Sequence, residues 1–208
     1  RLRQRDDVGD HAGVLGGGAD LVRDGWYVGG VAGRMRQSIR RDTIHAVEPQ
    51  FERNVVAGRV GLGKPLGDAV EFVVMRALDD RGSLPTDSLL RVTPAANTVF
   101  EARARKAVLD SGTTVHVEAA LSRFDRNVAA DAPTVSGLAL GTRIERRSPR
   151  GEVGFAVDYT GGGFQSFGNS ELAPDRIEGR LNGRRVLQEG RLRLGGAVGL
   201  RRDDISGT

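Results

Sequence analysis

The chain has 208 residues, a formal net charge of +4 at pH 7 and no cysteine, which excludes disulfide and thiolate chemistry. Its 27 acidic residues are interleaved with its 31 basic ones, whereas a nucleic-acid surface segregates its cations, so nucleic acid is not an expected partner. No stretch approaches the roughly eighteen consecutive apolar residues of a transmembrane helix, although a membrane β-barrel escapes this test because every second residue of its strands faces a polar interior.

The N-terminal half predicts two β-hairpins, over about 12–36 and 53–78. The first surrounds the turn at 23–25, and the second surrounds the turn at 63–67, where Pro and Gly favour a tight reversal. Apolar residues recur at every second position of the second hairpin, as in VAGRVGL before its turn. Its other strand, AVEFVVMRALDD, has the weakest pattern and is the most helix-like window, because Arg76 falls on the otherwise apolar face.

Three further hairpins are predicted, over about 97–124, 135–161 and 175–201. The clearest pattern is RLRLGGAVGL at 191–200, in which apolar residues alternate with polar or small ones. Period-two polarity indicates a strand with unlike faces, because successive Cβ atoms point to opposite sides of a sheet.

The connections between these strands alternate in length. Short turns lie near 23–25, 63–67, 109–112, 148–151 and 185–189. Long connections lie near 37–52, 79–96, 125–134 and 162–173. A transmembrane barrel shows this alternation, and strands of about 9–12 residues match the length that a tilted strand needs to cross a bilayer. The sequence therefore predicts an all-β fold, an antiparallel up-and-down meander of about ten long strands that forms a transmembrane β-barrel or an arc of a larger one.

The whole of 1–208 is expected to be a single β-barrel region. It begins with neither a methionine nor an apolar leader and closes on a polar, turn-like stretch, so 1–10 and 202–208 are interpreted as cut ends or loops. We therefore expect an interior piece of a longer chain.

Charged residues concentrate on the strand face opposite the apolar one, which in a barrel is the lumen. The predicted lumen-facing residues are Arg59, Glu71, Glu101, Arg103, Arg105, His116, Glu118, Arg143, Glu145, Glu152, Asp158, Arg180, Arg191 and Arg193. Two interpretations stay open: a ladder of mutually neutralising cross-strand ion pairs, or a selectivity surface for a polar or anionic solute.

Five aromatic residues lie near predicted strand ends and are candidates for a membrane-interface girdle. They are Trp26, Tyr27, Phe51, Phe124 and Tyr159. Aromatic side chains anchor at the headgroup level because a ring body is apolar and, in Trp and Tyr, the tip is polar.

No motif for catalysis, cofactor binding or metal binding is found. The glycine-rich stretch 161–169 lacks the GK[ST] ending of a phosphate loop and no helix follows it, so it is interpreted as a strand-end loop. The three histidines, His11, His45 and His116, have no carboxylate at metal-site spacing. We expect no cofactor, no metal and no enzymatic activity.

The segment from about 153 to 208, with FAVDYTGGGFQSFGNSELAPDR and the later GLRRDDISGT, resembles the C-terminal half of large outer-membrane β-barrel proteins of Gram-negative bacteria, of the porin and TonB-dependent-receptor type. The resemblance implies an outer-membrane location, a role in passing or binding a solute, and two partners: the lipid bilayer and the remaining strands of the parent barrel. No plug domain or energy-coupling box is visible in this sequence.

Two alternatives from other classes remain. The hairpins repeat at roughly forty residues, which is also typical of a soluble β-repeat protein such as a propeller. An outer-membrane enzyme would require a serine, a histidine and a carboxylate that converge at one rim.

Overall fold

The structure, a computed structural model, describes residues 13–40, 48–65, 67–84, 92–108, 112–130, 132–169, 172–187 and 192–206. Ten β-strands, numbered in chain order, occupy most of these residues. They are β1 (Leu15–Arg23), β2 (Trp26–Arg36), β3 (Glu52–Gly63), β4 (Ala69–Asp80), β5 (Ala96–Val108), β6 (Thr113–Asp125), β7 (Val135–Ser148), β8 (Gly151–Thr160), β9 (Arg176–Leu187) and β10 (Leu192–Asp203). A single 3₁₀ turn, Arg81–Ser83, follows β4. Among the described residues, no helix has the length and apolar character needed to cross a membrane.

All ten strands form one antiparallel sheet, in which each strand pairs with its neighbours in the chain from β1 to β10. The predicted all-β meander of about ten long strands is confirmed. The sheet is not closed into a barrel, because within the described ranges β1 pairs only with β2 and β10 only with β9. Both edge strands are exposed along their whole length.

Side chains that lie opposite one another in neighbouring strands share a face of the sheet, so the strand register assigns each residue to one of two faces. One row crosses the sheet from β2 to β9 through Val28, Val60, Phe72, Ala102, Ala119, Leu140, Tyr159 and Ile177. We call this side the apolar face. Every strand leaves large hydrophobic side chains of this face exposed, up to 80% for Leu200, and no second layer of described residues covers them.

The opposite side, which we call the polar face, carries most of the charged strand residues. We call the two ends of the strands the turn end, where the short turns lie, and the loop end, where the four long connections lie. Buried apolar side chains cluster on the polar face at the loop end, among them Phe51, Val55, Ala77, Val99 and Phe164. Among the described residues there is therefore no core between two layers, only this local cluster at the loop end.

Strand β4 forms although it had the weakest strand pattern. Arg76 lies on the apolar face as predicted, opposite Val56 of β3 and Thr98 of β5. Because β4 is an inner strand that pairs along its length on both sides, these pairings outweigh the helix-like spacing of its residues.

Candidate functional site on the polar face

The polar face carries every described residue of the predicted lumen-facing set. Alternation within each strand and the register between strands place these side chains there: Arg59, Glu71, Glu101, Arg103, Arg105, His116, Glu118, Arg143, Glu145, Glu152, Asp158, Arg180 and Arg193. Arg191, the remaining member, lies outside the described residues. The set forms one surface that extends from β3 to β10.

A chain of ion pairs occupies the polar face over β1 to β5. Arg59 lies 2.9 Å from Asp20 and 3.6 Å from Glu71, and Arg103 lies 3.1 Å from Glu71 and 2.9 Å from Glu101. Glu71 is buried between the two arginines, so its charge is compensated on both sides. These contacts are those of a cross-strand neutralising ladder.

The ring of Tyr27 covers part of this chain at the turn end. Tyr27 hydrogen-bonds Glu71, and the Arg59 guanidinium lies 5.6 Å from the centre of its ring. The ring lies directly over Gly61, where an added Cβ would overlap it. A residue without a side chain is therefore needed at position 61 for Tyr27 to lie flat against the sheet.

A second part of the polar face carries two arginines, Arg105 and Arg143, on one row across the sheet. Arg105, His116 and Arg143 lie directly opposite one another on β5, β6 and β7. In the part of the chain that the structure describes, neither Arg105 nor Arg143 takes part in an ion pair. Arg105 and Arg143 lie two strands apart with His116 between them, so this row concentrates positive charge on the polar face.

The connection between β8 and β9 folds back onto the polar face at the loop end. Residues 161–169 cross β7 and β6 to reach Asn97 on β5, which is completely buried. The Asn97 side-chain amide donates to the carbonyl of Gln165 at 3.0 Å, and its oxygen accepts from the amide of Phe167 at 3.0 Å. Ser122 on β6 accepts from the amide of Gln165, also at 3.0 Å. We call residues 161–169 the folded loop.

The folded loop lies very close to the sheet because β7 carries a glycine beneath it. A Cβ on Gly137 would overlap the backbone of Gly163 and Phe164. Phe164 is thereby buried against the sheet, with 3% of its surface exposed. The position of the folded loop on the sheet therefore depends on the absence of a side chain at Gly137 as well as on hydrogen bonds.

Aromatic and cationic contacts fix the far end of the folded loop. The Arg53 guanidinium lies 3.3 Å from the centre of the Phe167 ring, and Phe124 meets that ring edge-on with centroids 5.4 Å apart. Both geometries are favourable, since the ring edge is positive and its face attracts cations. Phe167 thus lies between β3 and β6 above the polar face.

Asp79 organises the charged side chains beside this loop. It is almost fully buried and accepts from Arg53 at 2.7 and 3.1 Å, from Arg36 at 3.3 Å and from the amide of Ala95 at 3.1 Å. A buried carboxylate with this many donors holds several groups in place at once. Asp79 therefore links β2, β3 and the segment before β5, and it orients Arg53 toward Phe167.

The structure separates the five predicted interface aromatics. Trp26 and Tyr159 lie on the apolar face. Tyr27 and Phe124 lie on the polar face, because each is one residue out of phase with the apolar row, and Phe51 is buried at the loop end. Tyr27, Phe51 and Phe124 therefore do not lie on the face that the expected girdle requires, whereas Trp26 and Tyr159 do.

The one described histidine does not form a nucleophile arrangement. His116 lines a cavity of about 100 Å³ with Glu118, Arg143 and Asp158, and no serine lines that cavity. No group of three or more potential metal ligands occurs in the described ranges. His11 and His45 lie outside those ranges.

The residues that hold the folded loop were absent from the sequence-based set. Asp79, Asn97, Ser122 and Phe167 lie on four different segments, and nothing in their spacing links them. One signal was available in the sequence. Asn97 lies in a strand at a position that alternation assigns to the polar face, and a buried amide side chain needs hydrogen-bond partners. No protein-family model, curated protein or solved structure matches this chain.

Proposed function

We propose that this chain forms part of the wall of a bacterial outer-membrane β-barrel, in which the apolar face contacts lipid and the polar face lines the solute path. The observation that carries the proposal is the apolar face itself, which crosses all ten strands and which no described residues cover. Soluble proteins rarely expose large contiguous apolar surfaces, and such a surface marks a site of contact with a membrane or another apolar partner.

The dimensions of the sheet support a bilayer as that environment. The strands contain between 9 and 14 residues, longer than the five or six that are typical of soluble sheets. A tilted strand of about 9–11 residues crosses the hydrocarbon layer. The alternation of tight turns and long connections gives the sheet two unlike ends, as a membrane with two unlike sides requires.

The polar face supports a path for a polar or anionic solute. Most of its charges are paired with one another, which lowers the cost of a charged wall. Arg105 and Arg143, which take part in no ion pair among the described residues, leave positive charge available, and this charge favours anions. The folded loop covers the same face at the loop end, so it narrows that path on the side of the long connections.

The topology argues against a propeller. A propeller divides its hairpins among separate blades of about four strands, whereas here all ten strands continue in one sheet. A soluble solenoid would also need a second face against which to bury its apolar residues.

Cysteine scanning tests the proposal directly, because this chain contains no cysteine. Arg59→Cys and Val60→Cys form a matched pair, since they are adjacent on β3 but point to opposite faces. In the full-length protein in outer-membrane vesicles, we expect a membrane-impermeant maleimide to label position 59 through the aqueous interior. Position 60 should resist this reagent and react with a lipid-soluble one.

Equal labelling of positions 59 and 60 by the water-soluble reagent would contradict the membrane assignment. Recovery of the full-length protein in a soluble periplasmic fraction would contradict it independently. For the solute path, Arg105→Gln with Arg143→Gln should lower anion selectivity in planar bilayers, and unchanged selectivity would remove the anionic solute from the proposal.

A further inference from the structure

A second polar row lies on the apolar face, at its border with the loop end. Arg76 on β4, Thr98 on β5, Arg123 on β6 and Ser136 on β7 lie directly opposite one another. The residues two positions nearer the turn end on the same face are Val74, Phe100, Leu121 and Leu138. On β4 one exposed apolar residue, Leu78, lies beyond the row, so the row lies close to the loop-end border of the apolar surface.

Among the described residues, the two arginines of this row have no carboxylate partner that neutralises their charge. In the described ranges neither Arg76 nor Arg123 takes part in an ion pair or a side-chain hydrogen bond, and both are exposed. Arg34, which lies nearby on the same face, is paired with Glu52 at 3.3 Å. Arg76 and Arg123 are thus two available cations at the edge of an apolar surface.

The spacing of the row suits phosphate groups. Neighbouring strands lie about 4.8 Å apart, which places the Cβ atoms of Arg76 and Arg123 about 10 Å from each other. The Thr98 and Ser136 hydroxyls occupy the two adjacent places in the row and can donate to the same acceptors. Guanidinium groups bind phosphate oxygens in pairs of hydrogen bonds.

We infer that Arg76, Thr98, Arg123 and Ser136 form a binding site for the phosphate groups of anionic lipids. Charge complementarity and position identify the ligand, because the row lies where the acyl chains against the apolar face would end and headgroups would begin. The inference rests on the proposed membrane location of the sheet. It adds a lipid ligand on the outer surface of the wall, separate from the solute path.

The test compares two arginine pairs of the full-length protein, reconstituted in phosphatidylcholine vesicles with and without phosphatidylglycerol. Arg76→Gln with Arg123→Gln removes the site. Arg105→Gln with Arg143→Gln is the matched control, because these residues are also exposed, unpaired by carboxylates and separated by one strand, but lie on the polar face. The preference for spin-labelled phosphatidylglycerol over spin-labelled phosphatidylcholine is measured for each.

We expect the preference of the site variant for phosphatidylglycerol to fall about fivefold or more below that of the wild type. The control variant should keep the wild-type preference. Equal preferences in wild type and site variant, or equal losses in both variants, would overturn the lipid site. If added inorganic phosphate abolishes the wild-type preference for phosphatidylglycerol, the ligand of the site is free phosphate and not a lipid. Insertion into phosphatidylcholine alone tests the membrane location separately: its failure overturns both proposals, whereas insertion without a lipid preference overturns only this one.

Discussion

The two ends of the polar face use similar residues in different environments. At the loop end, Asn97 is buried under the folded loop and Asp79 is buried beside it, and each makes several hydrogen bonds. Toward the turn end, Glu152 and Arg184 lie 3.6 Å apart with 38% and 55% of their side chains exposed. The covering loop excludes water, and this makes a polar contact strong and its loss costly.

This difference separates two roles of one surface. The loop end behaves as a small core whose polar groups specify how one connection folds, while the turn end over β8 and β9 is a solvated wall whose ion pairs can exchange. Mutations of matched residue types at the two ends should therefore differ in their effect on stability.

The largest effect is expected from Asp79→Ala. It leaves Arg53 and Arg36 without their shared carboxylate and the Ala95 amide without its acceptor, which should lower the free energy of unfolding by about 3–5 kcal/mol. Glu152→Ala at the turn end should cost below about 1 kcal/mol. Urea titration of the full-length protein, followed by its heat-modifiable migration, measures both. Similar losses for the two variants would remove the distinction between the ends.

Asn97→Ala should have the next largest effect, roughly 2–3 kcal/mol, because it removes a fully buried group that bonds the folded loop twice. The amides of Gln165 and Phe167 should then exchange their hydrogens faster. The control is Asn182→Ala, an exposed asparagine of the same face on β9, for which a change within about 0.5 kcal/mol is expected. Unchanged exchange at Phe167 would show that the loop is held by other contacts.

Gly137→Ala tests the close approach of the folded loop to β7. The new methyl group would overlap the backbone of Gly163 and Phe164, so the loop must shift, at a cost of about 1–3 kcal/mol. At Gly195 on the same face of β10, the nearest atom to an added Cβ is 3.4 Å away, and Gly195→Ala should be close to neutral. Single-channel conductance should rise in the Gly137 variant if the loop narrows the path.

The smallest effect is expected at the turn between β3 and β4. The Asp68 carboxylate binds Lys106 at 2.9 Å and the amide of Ala107 at 2.7 Å, and these contacts lower its pKa below the usual 3.8. A lowered folded-state pKa stabilises the fold fully above the unfolded-state value, and this contribution is lost as pH falls through the folded-state pKa. The free energy of unfolding of Asp68→Asn should therefore be lower than that of the wild type at pH 6, and the two should converge in strong acid. If the difference in stability persists in strong acid, it arises from altered side-chain contacts and not from the charge of Asp68.

The sequence predicted the strands well because their signal is local. Leu194, Val198 and Leu200 alternate with polar or small residues, and that alternation alone fixes the face on which each side chain lies. The same logic placed Arg59, Glu118 and Arg143 together on one face. Tyr27 and Phe124 were instead chosen by their closeness to a strand end, and the strand register places both on the polar face.

The candidate site was predicted only as a surface. Its charged strand residues follow from alternation, but the folded loop depends on Asn97, Ser122 and Gly137, which come together only because β5, β6 and β7 are neighbours. The glycine-rich stretch 161–169 was correctly interpreted as a connection, yet no local rule indicates that it turns inward.

The sequence by itself determined the period, and thus the strands, their two unlike faces and the alternation of short and long connections, because each of these depends on residues within a few positions of one another. Only the tertiary structure decided which part of the polar face is covered. That outcome depends on contacts between residues about seventy positions apart in the chain, such as Asn97 with Phe167, whose formation requires the intervening strands to be in register first.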